Sequence, residues 1–251
     1  MPSLNPIGIP FIELLTVEST NNYAMGLVRA GMAQSGTVVF THDQTKGKGQ
    51  RDKEWKSQKD MNIAMSVVVE PNFLSSSEVF LISAMAAVAV RSFFNSYAAD
   101  DVRIKWPNDI YWRDRKAAGI LIENLWQGNE WKSSVIGIGV NINQTDFSGL
   151  KTKAVSLKQI AGKNFDPIVL AKELCAVLNE KYQMLLRDVP SIVDEYKSNL
   201  YKLGEAVRLK KNNRVFEAVI KDVNTAGQLV VLHSTEEIFD VGEIEWIANG
   251  E

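Results

Sequence analysis

Cysteine is almost missing from this chain: Cys175 is the single one in 251 residues. One thiol can close no intramolecular disulfide and build no cysteine-rich metal site, which fits a reducing cytoplasm. Histidine is nearly as scarce. His42 and His233 stand alone without ligand spacing, and no serine sits in a nucleophile elbow, so neither a histidine metal centre nor a serine hydrolase is encoded. An excess of one charge is lacking too. With 28 basic and 30 acidic residues the net charge is −2, which gives no global attraction to nucleic acid or an anionic membrane; any positive field must be local. Long hydrophobic runs are also absent. The longest, Val79 to Val90, is broken by Ser83 and is shorter than the ~20 residues a bilayer demands, so it is expected to be a buried helix. The first residues, MPSLNPIGIPFIEL, have no basic start followed by an apolar run and do not resemble a signal peptide. No period of about 20 to 50 residues repeats.

What is present is a 45% hydrophobic chain, long enough for one large core or for a medium and a small domain. Phe11 to Val17 reads as a strand, and Ser19 or Thr20 can cap a helix whose Tyr23, Leu27 and Val28 share a face. For Ser19, Thr20 and Asn21 capping alone is the competing explanation. A strand at 36–42 then runs into the loop DQTKGKGQRDKEW. Its Lys46, Lys48, Arg51 and Lys53 alternate with Gly47 and Gly49. Glycines let backbone N–H groups approach an anion and the cations neutralise it, as a phosphate cradle requires. A solvated basic loop is the alternative, although Trp55 would anchor the loop on the core. The spacing is not that of a P-loop.

A strand at 62–70, a largely buried helix at about 78–96 and a strand at 102–106 follow. They lead to KWPNDIYWRDRKAAGILIE at 105–123. Lys105 and Lys116 stand near the two ends of this hairpin, with Asn108 and Asp109 at its first bend. Gly137, Gly139 and Asn141 end the β-branched run WKSSVIGIGVNIN, and glycines inside a strand mark a close approach by another group, either a ligand or a side chain. Strand follows strand here without helices between, which makes this half antiparallel or mixed rather than doubly wound. Asp166 and Pro167 start a helix to about 187, with Cys175 on its apolar stripe. A further helix covers 190–201. The composition then changes to four or five short strands over 204–246, which suggests a small closed barrel. The domains expected are 1–200 and 201–251.

Two basic clusters, glycines at strand ends and an Asn–Asp pair suit a polyanion with magnesium, and no nucleophile accompanies them. A reaction that needs only positioning and charge neutralisation fits, such as attack of a carboxylate on the α-phosphate of ATP. The motifs STNNY at 19–23, QTKGKGQRDKEW at 44–55, KWPND at 105–109, RKAAGILIE at 115–123 and GIGVNIN at 137–143 resemble those of the biotin protein ligases, in the same order. The resemblance implies an α+β fold, with a mixed, mostly antiparallel sheet flanked by helices as in class II aminoacyl-tRNA synthetases, and a C-terminal SH3-like barrel. It implies a cytoplasmic enzyme that makes biotinyl-5′-AMP from biotin and MgATP and passes biotin to a lysine of a biotin carboxyl carrier protein. Carried over by position, Ser19, Thr20, Asn21 and Gln44 would bind biotin, with Gly47, Lys48, Gly119 and Gly137 closing over it. Lys116 would bind the carboxylate. Gln50, Arg51, Trp55, Lys105, Asn108, Asp109 and Asn141 would serve the nucleotide, Asp109 also the Mg2+, and Lys48, Lys105 and Lys116 would be the catalytic cations.

The sequence departs from the family at the loop, usually close to GRGRxG, where Gln50 replaces a common arginine and Asp52 a glycine. Gln50 offers no guanidinium fork, which implies weaker retention of the adenylate. Ala154 stands where some members have tryptophan. With about 10 residues before the first strand, no DNA-binding module is expected, and a homodimer is plausible from relatives. Lipoate or octanoate ligation and a non-catalytic biotin-binding module are the alternatives.

Overall fold

The computed structural model describes residues 5–50, 53–98, 101–149 and 153–247. Strand β1 (Phe11–Leu14) precedes α1 (Thr20–Arg29), whose cap is Ser19: its hydroxyl accepts the Asn22 N–H at 3.4 Å. Strands β2 (Val38–Thr41) and β3 (Ile63–Val69) are buried along their whole length, as their β-branched runs require. A single helical turn at Ser76–Glu78 leads into α2 (Val79–Ala98). Then come β4 (Val102–Lys105), β5 (Asp109–Trp112), β6 (Arg115–Gln127) and β7 (Glu130–Val140). The segment 105–123 is thus two successive hairpins, the first turning through a cis Trp106–Pro107 bond.

These seven strands form one sheet in the order β1-β2-β3-β7-β6-β5-β4. Only the β1–β2 pair is parallel. Alternation along the strands separates two faces. Phe40, Met65 and Val67 enter the main core with α2, whereas Val39, Val68 and Val135 pack under Ala24, Leu27 and Val28 of α1. Because α1 is short, it covers only part of that second face. Ser66 on β3 lies opposite Gly137 on β7, and Gly139 lies between Ala64 and Gly119, so the glycines floor the same face as Val68 and Val135.

Helix α2 runs farther than its uninterrupted apolar stretch. With the preceding turn it spans 23 residues, long and apolar enough to cross a bilayer. Burial, not length, marks it as a core helix: Ala84 through Val90 are fully covered, packed against α4 (Pro167–Arg187) and α5 (Val189–Ser198). Before those two comes the short α3 (Leu157–Ala161). Asp166 caps α4 by accepting the Ile168 N–H at 3.0 Å, with Pro167 in the first turn.

Strands β8 (Ala206–Lys211), β9 (Arg214–Val223), β10 (Leu229–Leu232), β11 (Glu236–Phe239) and β12 (Glu245–Trp246) make a second, antiparallel sheet in the order β11-β10-β9-β8-β12. The expected closed barrel differs from this. Among the described residues β11 and β12 lie at opposite edges without pairing, and four and two residues give them little with which to close. The second sheet shares the main core through Leu209, Phe216 and Ile220, and the Trp106 indole donates to the Gly227 carbonyl at 2.9 Å.

Candidate active site

The start of α1 is tied into a polar knot. The Thr20 N–H donates to Gln44 Oε1 at 2.9 Å, and the Thr20 hydroxyl lies 3.1 Å from the same oxygen. The Asn21 amide donates to the Leu121 carbonyl and, at 2.8 Å, to Glu123 Oε2. Capping therefore accounts for Ser19, whereas Thr20 and Asn21 reach across to other elements. Ser66, which the sequence did not single out, sits beneath them, 2.8 Å from Thr20 Oγ1 and 2.6 Å from Asn21 Oδ1. Its signal was a lone hydroxyl in a fully buried strand, which must find a partner. Asn21 Oδ1 can only accept, so the one Ser66 proton belongs there and the Thr20 hydroxyl must serve either Ser66 or Gln44.

Next to the knot, glycines make room for side chains. A Cβ on Gly137 would lie 2.3 Å from Asn21 Oδ1, and one on Gly139 2.3 Å from the Trp55 ring. A side chain, Asn21 or Trp55, thus stands against each of these two glycines. A Cβ on Gly47 would meet the Trp55 carbonyl at 2.3 Å, while one on Gly119 would lie 3.2 Å from both Lys116 Nζ and Trp55. The loop carrying Lys48 is folded on itself: the Trp55 N–H donates to the Gly47 carbonyl at 2.8 Å and the Gly49 N–H to that of Lys53 at 2.6 Å. Lys48 Nζ is 3.5 Å from Glu123 Oε1, so Glu123, also unforeseen, joins the loop to the knot. Gln50 lies at the loop's edge, and Arg51 and Asp52 fall outside the described residues. The Trp55 indole N–H is buried without a hydrogen-bond partner, a donor left over for something else.

Lys116 Nζ stands 5.8 Å from the centre of the Trp55 ring and 2.7 Å from Asp109 Oδ1, both side chains of the pair being about a quarter exposed. Its backbone is held by three partners: Lys153 accepts its N–H, and the Val155 N–H and Asn141 amide donate to its carbonyl. The amide of Asn141 also serves the Val155 carbonyl, and that of Asn108 donates to the Ile120 carbonyl. Both amide groups thus brace the backbone around Lys116, a task the resemblance did not imply for them.

Asp109, assigned with Lys105 to the phosphate end by the resemblance, is the ion-pair partner of Lys116. Lys105 instead lies among aromatic rings, 3.3 Å from the Tyr111 hydroxyl. Burial pushes its ammonium down to about 8; Asp109 opposes that shift, while Lys116 and Lys53 add to it. Cys175 is buried, and burial raises its thiol to about 12, so it is no thioester nucleophile. Among the described residues no three His, Cys, Asp or Glu side chains gather to hold a metal ion.

The glycine-floored sheet face thus carries a knot of hydroxyls and amides around Ser66 and a lysine–carboxylate pair at Lys116. Residues 14–141 match the biotin/lipoate A/B protein ligase family, and the chain belongs to it. It is 30% identical over 203 residues to the bifunctional ligase/repressor BirA of Bacillus subtilis, an alignment covering 79% of this chain and 62% of that protein. The chain thus spans about three-fifths of that relative's length. It is 26% identical to the biotin–[acetyl-CoA-carboxylase] ligase of Paracoccus denitrificans, with 87% and 92% of the two chains covered. Among solved structures, the biotin protein ligase of Aquifex aeolicus in complex with biotin and ATP superposes with a TM-score of 0.80 at 21% identity, over 95% of this chain and 99% of that one.

Proposed function

We propose that the chain is an ATP-dependent biotin ligase. A biotin carboxylate oxygen attacks the α-phosphorus of MgATP, pyrophosphate leaves, and biotinyl-5′-AMP remains bound. The ε-amine of one lysine on a biotin carboxyl carrier domain then attacks the acyl carbon; AMP leaves and the amine loses its proton to solvent. The observation that carries this reading is the position of Lys116, with Gly119 and the Trp55 ring at its ammonium and Asp109 paired to it. A cation there can neutralise the carboxylate as the two anions meet, and developing charge at one such donor is worth about 10²–10³ in rate. Exchange of Asp109 for the substrate carboxylate would bring Lys116 into play and release Asp109 toward the magnesium carried by the triphosphate, since Mg2+ needs few protein carboxylates when phosphates supply the rest.

In this reading Ser19, Thr20, Asn21, Gln44 and Ser66 receive the ureido ring. The mixed donors and acceptors of the knot suit a urea, whereas the apolar dithiolane of lipoate offers them no hydrogen-bonding partner, which favours biotin over lipoate. Gly47, Gly119 and Gly137 let Trp55, Lys116 and Asn21 stand close to the sheet face, Lys48 closes over the biotin, and Gln50, Trp55 and Lys105 serve the nucleotide, a role also assigned by resemblance to Arg51. A reducing cytoplasm, where ATP and carrier proteins meet, is the compartment that fits. The test is biotin-dependent pyrophosphate release. Lys116→Ala should lower it by about 10²–10³ while the fold survives; near-wild-type release from that variant would sink the assignment.

A further inference from the structure

Three aromatic rings close around the Lys105 ammonium. Nζ lies 4.7 Å from the centre of Tyr111, 4.9 Å from Trp246 and 5.8 Å from Tyr201. The rings also touch one another, Tyr111 and Tyr201 at 5.1 Å and Tyr201 and Trp246 at 5.9 Å between centres. They come from three separate places: β5, the segment after α5, and β12 at the edge of the second sheet. Tyr201 is fixed by donating its hydroxyl to Asp114 at 2.6 Å. Trp246 is half-buried and its indole N–H is covered without a partner, so hydrogen bonding does not explain its place. What it faces is a cation.

A carboxylate would hold a lysine just as well, but it would also cancel the charge. Ring faces hold an ammonium through their quadrupole and leave its charge uncancelled. No carboxylate lies within salt-bridge distance of Lys105 among the described residues, whereas Lys116 has Asp109 at 2.7 Å. Lys105 is therefore the cation kept unpaired, and an incoming polyanion would find it already stripped of much of its water.

We propose that Trp246 and Tyr201 are positioning residues for the nucleotide: the second sheet supplies the Trp246 ring, which with Tyr201 holds Lys105 as an unpaired cation to receive the ATP phosphates. This rests on the ligase reading for the role of Lys105. It makes the second sheet part of the adenylation step through a strand of two residues.

The experiment is a double-mutant cycle on ATP affinity, measured by calorimetry for the wild type, Trp246→Leu, Lys105→Met and the double variant. Trp246→Leu should weaken ATP binding about tenfold, the equivalent of about 1.4 kcal/mol, while biotin affinity holds. Trp246→Phe, which keeps a ring, should recover most of it. In the Lys105→Met background Trp246→Leu should add nothing; an equal loss in both backgrounds would make Trp246 merely structural and overturn the proposal, as would unchanged ATP affinity. The second readout is the 13C-lysine NMR signal of Lys105, assigned by its loss in Lys105→Met. Ring currents should displace it upfield in the wild type and Trp246→Leu should return it; an undisplaced wild-type signal would refute the cage itself. If Trp246→Leu does not fold, Tyr201→Leu takes its place with the same expectations. A wild type without biotin-dependent pyrophosphate release would count against the ligase reading, while the ATP isotherms and the lysine signal would still decide the cage.

Discussion

Gly139→Ala tests the packing of the site directly. A Cβ at Gly139 would lie 2.3, 2.4 and 2.8 Å from three atoms of the Trp55 indole, where ordinary contact begins at 3.4 Å. The ring must therefore retreat by about 1 Å, the difference between 2.3 and 3.4 Å, a displacement of the size that overpacking forces on a close-packed site. It cannot do so by sliding its own backbone, because the Trp55 N–H is bonded to Gly47 and its carbonyl fills the space beside that glycine. Overpacking of this kind costs about 1–3 kcal/mol. If the cost falls on the ordered loop, biotin binding weakens by about 5- to 150-fold; if it falls on the whole fold, the urea midpoint drops. Gly26→Ala is the control. Gly26 is exposed inside α1 with nothing within 4 Å of an added Cβ, so alanine there should stabilise by about 0.5–1 kcal/mol and leave biotin alone. Calorimetric titration with biotin and urea unfolding read both effects. A Gly139→Ala protein that binds and unfolds like the wild type would refute the placement of Trp55.

Ser66→Ala removes the hydroxyl shared by Thr20 and Asn21 and should cost about 1–3 kcal/mol of stability, read by urea unfolding, together with biotin affinity; an unchanged midpoint would argue that the knot re-forms without it. His42 is clasped by Glu13 at 2.7 Å and Asp60 at 2.8 Å, and the Glu13 hydrogen bond foremost, with Asp60 behind it and burial opposing, raises its pKa above 6.5. The folded value being the higher, this stabilisation is fully present below pH 6.5 and fades as pH rises through the raised value. His42→Gln should flatten the melting temperature against pH just above 6.5, and an unaltered slope would discount the clasp. Lys105, held down to about 8 mainly by burial, should lose its charge as pH rises through that value, so the KM for ATP should climb there while biotin affinity stays level. A KM for ATP that stays level through pH 8 would remove Lys105 from the nucleotide site.

Local pattern carried much of the architecture because its causes are local. Asp166 followed by Pro167 presets a helix start, the run at 63–69 can bury only as a strand, and of the two caps offered, Ser19 and Thr20, it is Ser19 that caps α1. The site's residue types were legible for the same reason, since lysines, glycines and amides in short motifs advertise an anion. Their pairings were not. Asn21 meets Ser66 and Glu123 across 45 and 102 residues, and Lys105 meets Trp246 across two sheets; no periodicity encodes such distances. The exchange of partners, with Asp109 on Lys116 and rings on Lys105, follows from β5 pairing with β6 and from β12 closing on β8. The extent of α2 was legible too, about 78–96 expected against Val79–Ala98 observed, because Arg91, Ser92, Asn95 and Ser96 among Phe93 and Phe94 interrupt the apolar run without breaking the helix.

The measurement closest to the central claim is the intact mass of a biotin carboxyl carrier domain incubated with this protein, biotin and MgATP. The account predicts a gain of one biotinyl group on a single lysine, dependent on ATP and lost with Lys116→Ala. An unmodified carrier with the wild type, or equal modification by Lys116→Ala, would contradict it.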